Sequence, residues 1–130
     1  MSKELENKNS IKIPHVGKIG EVQIADEVIA IIAGLAATEV EGVVAMNGNI
    51  TNELVGKLGM KNLSKGVKVE VNGEQVAVHL AITLEYGYSI PKTSRQVQEK
   101  VKLAIENMTG LTVEEVNIRI AGVNTQNSDV

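Results

Sequence analysis

The stretch from Gly66 to Val123 leaves the chain least freedom. Val67, Val69 and Val71 alternate with Lys68 and Glu70, the period of a strand with one buried face. Asn72-Gly73 follows, a pair that favours a type I′ turn. The returning strand places Val76, Val78, Leu80, Ile82, Leu84 and Tyr86 on one face, and Ala77, His79, Ala81, Thr83 and Glu85 on the other. Five aliphatic side chains on the first face, at ~1.5–3 kcal/mol each when buried, give this hairpin its main stabilisation. Its register stays open. A two-residue and a four-residue loop differ by a slip of two positions, and both keep the apolar faces together. Ser89 then caps a helix with Pro91 in its first turn. Ile90, Val97, Val101, Ala104, Ile105 and Met108 form the apolar stripe of that helix, and Gly110 ends it. Val116, Ile118 and Ile120 alternate in a last strand, with Asn117 and Arg119 outward.

Upstream, the alternation from Gly20 to Ala25 predicts a short strand. Asp26 opens a helix that runs to about Glu41 and stops at Gly42; an acid suits the positive end of the helix dipole. Val28, Ile29, Ile31, Ile32, Leu35, Ala36 and Val40 leave that helix little polar face. Its second apolar side is either simple core packing, the blander reading, or a subunit contact through Ile29, Ile32 and Val40. Val43 to Met46 reads as a further short strand; Asn47 to Lys65 is irregular, with a short helix at 52–58. The order strand, helix, short strand, hairpin, helix, strand predicts an α+β fold: a small mixed sheet of three to five strands with two main helices on one face. Residues 13–124 form one domain in this reading, and residues 1–12 and 125–130 are polar tails expected to be flexible.

Composition narrows function by exclusion. Aromatics are 2% of the chain, Tyr86 and Tyr88 alone, which disfavours any function that needs an aromatic stacking platform, such as binding unpaired bases one by one. The formal net charge of −3 gives no bulk attraction to nucleic acid or anionic lipid. The absence of cysteine rules out disulfides, thiol nucleophiles and thiolate metal sites. The polar first ten residues do not resemble a signal peptide. The longest apolar run, Val28 to Ala37, is shorter than the roughly 20 residues of a membrane span, so no direct membrane insertion is expected.

Nothing in the sequence is spaced for catalysis. His15 and His79 lack a helical partner at metal-site spacing. No nucleophile elbow or phosphate-loop pattern occurs, and Glu114-Glu115 reads as a solvated pair. We therefore expect no catalytic residue, no metal and no cofactor. One basic segment stands out. Residues 54–68 contain Gly56-Lys57-Leu58-Gly59 together with Lys61, Lys65 and Lys68, and no acid. This is similar to the Gly-x-x-Gly loop of KH domains, which clamps a nucleic-acid backbone. Gly56, Lys57, Gly59, Lys61 and Lys65 are the candidate contacts for an anion or nucleic acid. The pattern also occurs at Gly17-Lys18-Ile19-Gly20, so a solvated basic loop is the plainer reading and nucleic acid an unlikely partner.

Taken together, the joints carry a family resemblance. Val22, Ile24-Ala25, Val28-Ile29, Ile32-Ala33, Gly42-Val43, Gly66-Val67, Tyr86-Gly87, Ile90-Pro91, Val97-Gln98, Thr109-Gly110-Leu111 and Val116-Asn117-Ile118, in that order, resemble the alkaline-shock protein family over about Lys18 to Val123. These are cytoplasmic envelope-stress proteins of Gram-positive bacteria and their relatives. The resemblance implies a non-enzymatic interaction protein that self-associates and sits at the inner side of the membrane through a small membrane-anchored partner. It carries over no catalytic residues.

Overall fold

The computed structural model describes residues 10–13, 19–46 and 65–125. The elements in chain order are β1 (Ser10–Lys12), β2 (Gln23–Ala25), α1 (Asp26–Thr38), β3 (Val43–Met46), β4 (Val67–Asn72), β5 (Gln75–Glu85), α2 (Ile90–Thr109) and β6 (Thr112–Asn124). The strand β5 is the spine. Along one edge it pairs antiparallel with β4 over its first half and with β3 over its second. Along the other edge it pairs parallel with β6 over its whole length. A parallel pair cannot be closed by a tight turn, and α2 supplies the crossover. The fold is thus α+β with a mixed four-stranded sheet, as the pattern predicts, plus a separate two-stranded pair, β1–β2.

The structure settles the hairpin register. Val71 lies opposite Val76 and Val69 opposite Val78, the pairing of the four-residue-loop alternative. Asn72 also pairs with Gln75, so Asn72 belongs to the strand, the loop shortens to two residues, and the turn is Gly73-Glu74 rather than the expected Asn72-Gly73. Gly73 takes φ 70, which a side chain would oppose.

Val76, Val78, Leu80, Ile82 and Leu84 point to the helix-covered face, and none exceeds 2% exposure. Ile29, Ala33, Ala36 and Ala37 from α1 and Val97, Val101 and Ile105 from α2 close over them. The small buried side of α1, which also includes Ala30 and Gly34, lets the helix approach closely.

Several local expectations change. Ser10–Lys12, read as part of a tail, forms β1, in register with Gln23–Ala25. The helix α1 ends at Thr38 rather than near Glu41, and Gly42 serves the following turn. On α2 the buried stripe is Thr93, Val97, Val101, Ile105 and Thr109, whereas Ile90 and Met108 are exposed. These buried positions recur every four residues in a helix of about 3.6 residues per turn, so the stripe drifts around the helix and leaves Ile90 and Met108 outside it. Thr109 is tolerated inside because its hydroxyl donates to the Ile105 carbonyl and accepts from the Leu111 N–H. Tyr86 lies beyond the end of β5 and is 73% exposed. The cap at Ser89 forms as predicted: its Oγ accepts from the Lys92 N–H at 3.3 Å. Pro91 sits in the first turn, and Gly110 closes the helix in the left-handed region.

Candidate interaction surfaces

The helix layer presents one surface. At the end of α1, the Gly42 backbone packs against the ring of Tyr88, which lies just before α2. Lys100 on α2 lies 3.6 Å from Glu39, immediately after α1. These contacts put the C-terminal end of α1 beside the N-terminal half of α2, so the helices run antiparallel. Val28 and Leu35, seven residues apart and therefore on one face of α1, are 45% and 42% exposed, with half-buried Ile31 between them. Leu103 is 56% exposed on α2, one turn beyond Lys100. Met108 is exposed near the far end of α2.

The open face of the sheet presents another, built by register. Glu70, Ala77 and Glu115 form one row across β4, β5 and β6. Lys68, His79 and Asn117 form the next. Asn117 Nδ2 donates to Glu115 Oε1 at 3.3 Å and lies 3.3 Å from His79 Nδ1. An amide nitrogen only donates, so Nδ1 accepts and the imidazole proton rests on Nε2. Nε2 is screened from solvent and 3.6 Å from Glu70 Oε1, too far for a hydrogen bond.

Few carboxyl groups are perturbed. Burial pushes Asp26 upward, and its Oδ1 finds no hydrogen-bond partner among the described residues. The Val113 N–H and then the Lys102 ammonium, both bonded to Glu106 at 2.9 Å, hold that carboxyl below its ordinary range. The hydrogen bond from Tyr88 to Glu41 raises the phenol. These groups lie apart, and among the described residues no cluster of three His, Asp or Glu side chains could hold a metal ion.

The residues singled out in the sequence fall as follows. Ile29 is fully buried and Val40 is 8% exposed, both within the core, and Ile32 is half-buried against it. These three are packed into the domain itself, and the outward apolar positions of α1 are Val28 and Leu35, one residue before Ile29 and three after Ile32. Gly56, Lys57, Gly59 and Lys61 lie outside the described residues, as does the expected helix at 52–58. Lys65 is exposed in the turn that leads into β4. The sequence reading missed the rows on the open sheet face. Their only signal was the alternation of polar residues in each strand, which does not say which residues become neighbours.

Comparison with known proteins gives a consistent result. The model of the alkaline-shock protein 23 family, described as of cell envelope-related function, matches residues 15–125. The uncharacterized protein YqhY of Bacillus subtilis is 38% identical over 120 residues, covering 92% of this chain and 89% of the relative. The uncharacterized protein YloU of the same organism is 38% identical over 112 residues, covering 85% and 93%. A stress response regulator gls24 homolog of Streptococcus pyogenes is 35% identical over 108 residues, covering 82% of this chain and 60% of the relative. No helix among the described residues is long and apolar enough to cross a membrane.

Proposed function

The chain belongs to the alkaline-shock protein 23 family, whose function is related to the cell envelope, and from that premise we propose that it is a non-enzymatic interaction protein of the envelope stress response. In this reading it is cytoplasmic, self-associates, and is held at the inner side of the membrane by a small membrane-anchored partner. The observation that carries the reading is the family match across residues 15–125, together with a similar chain named a stress response regulator. The exposed apolar side chains Val28, Leu35 and Leu103 support it, because they give a second copy or a partner something to cover. The scattered perturbed carboxyls support binding over catalysis, since acid–base chemistry needs such groups brought together.

Two experiments test it. Sedimentation velocity of the purified chain over a range of concentrations should reveal association. Crosslinking in cells followed by membrane fractionation should recover the chain on a membrane protein. A monomer at every concentration, with no crosslink to any membrane protein, would overturn the proposal.

A further inference from the structure

We propose that the open face of the sheet binds a phosphate-type oxyanion above Gly66 and Ala81, held between Lys68 and Arg119. Register makes the site. Ala81 donates its N–H to the Gly66 carbonyl at 2.9 Å and lies beside Arg119 in the parallel pair. The third row across the sheet is therefore Gly66, Ala81 and Arg119, following the row of Lys68, His79 and Asn117. Two of its three members have no side chain long enough to fill the face. The result is an open depression of about 420 Å³, lined among the described residues by both cations and by no carboxylate.

The charges around it are already sorted. Glu70 and Glu115 stand two rows away, with Ala77 between them, and turn toward His79 and Asn117. Among the described residues Lys68 and Arg119 form no ion pair, although the chain has 16 acidic residues against 13 basic ones. Strands ~4.8 Å apart put the backbones of β4 and β6 about 10 Å from one another across β5. Two long side chains leaning inward from those strands can meet on one tetrahedral group. Arginine offers a planar fork to two of its oxygens, and lysine adds a mobile point charge. A phosphate dianion matches the two positive charges, and the side-chain-free floor gives it room. None of this depends on residues 47–64.

The test is a titration of the full chain with inorganic phosphate against sodium chloride of equal ionic strength, followed by amide NMR shifts. The expected result is saturable movement in the millimolar range at Gly66, Lys68, His79, Ala81 and Arg119. Arg119→Gln should weaken binding about tenfold, the worth of one charge-assisted contact. Ala81→Glu, which places a carboxylate on the floor, should abolish it; Lys92→Gln, on the exposed side of α2, should leave it unchanged. Vesicles of phosphatidylglycerol, with phosphatidylcholine as reference, separate the sources. Binding to the former that Arg119→Gln removes assigns the group to a lipid headgroup, and binding of inorganic phosphate alone assigns it to a soluble phosphorylated ligand. Binding in neither arm, or shifts spread over all exposed lysines without saturation, overturns the proposal.

Discussion

Gly42→Ala is the most informative single change in the helix layer. Gly42 has φ 101, outside the region that side chains occupy readily. A Cβ there would lie 2.7 Å from Tyr88 Cδ2 and 2.9 Å from Cγ, closer than real carbon pairs approach. The backbone cost is about 1–3 kcal/mol, and forcing the ring aside adds about 1–3 kcal/mol. The ring cannot leave without losing its hydrogen bond to Glu41, 3.2 Å long. The total, about 2–6 kcal/mol, corresponds to a fall in Tm of roughly 4 °C for each kcal/mol in a domain of this size. Urea unfolding of Gly42→Ala, Tyr88→Ala and the double variant separates the parts. In the Tyr88→Ala background, Gly42→Ala should keep its backbone cost and lose the steric one, a coupling of about 1–3 kcal/mol. Equal costs in both backgrounds would refute the packing of Tyr88 on Gly42. A cost below about 0.5 kcal/mol in the parent chain would refute the backbone argument as well.

Other consequences follow from burial and hydrogen bonding. Ile82 is fully buried on β5 and Thr83 faces the open side, so Ile82→Asp should abolish folding while Thr83→Asp should melt near the parent; equal melts would mean the faces are exchanged. Thr109→Val removes the oxygen that accepts the buried Leu111 N–H and should cost about 1–3 kcal/mol in denaturant unfolding. The carboxyl of Glu106 is held ionised by the Val113 N–H and Lys102, so its folded pKa lies below its unfolded one. Its contribution is complete above the ordinary glutamate range and is lost as pH falls through the lowered value. Glu106→Gln should therefore reduce stability at neutral pH and flatten the acid limb of a stability–pH curve; an unchanged acid limb would sink this account.

The local signals in the sequence were read correctly where one residue decides one feature. Ser89, Pro91 and Gly110 mark the two ends of α2, and the alternation from Val76 to Leu84 marks the buried face of β5. Features that need a distant partner were not legible. Ser10–Lys12 looks like a tail until Gln23–Ala25 comes alongside. The two hairpin registers share parity, so hydrophobic alternation fits both; the extra pair between Asn72 and Gln75 distinguishes them. Ile90 and Met108 belong to the average apolar angle of α2, but the buried positions from Thr93 to Thr109 recur every four residues and drift around the helix away from both. The same limit hid the rows on the open face of the sheet. His79 and Asn117 are 38 residues apart, and only the parallel register of β5 and β6 makes them neighbours. On α1, uniform apolarity concealed which side faces out: core packing, the blander reading, holds for Ile29 and Val40, and the exposed positions are Val28 and Leu35.

The central claim is that this domain works by association through side chains left outside its own core. Sedimentation velocity of the parent chain beside a Leu35→Glu, Leu103→Glu double variant tests it most directly, because both positions are exposed and the variant should keep the parent melting temperature. The account predicts a concentration-dependent increase in sedimentation coefficient for the parent and a single monomeric boundary for the variant. Identical monomeric boundaries for both at every concentration would contradict it.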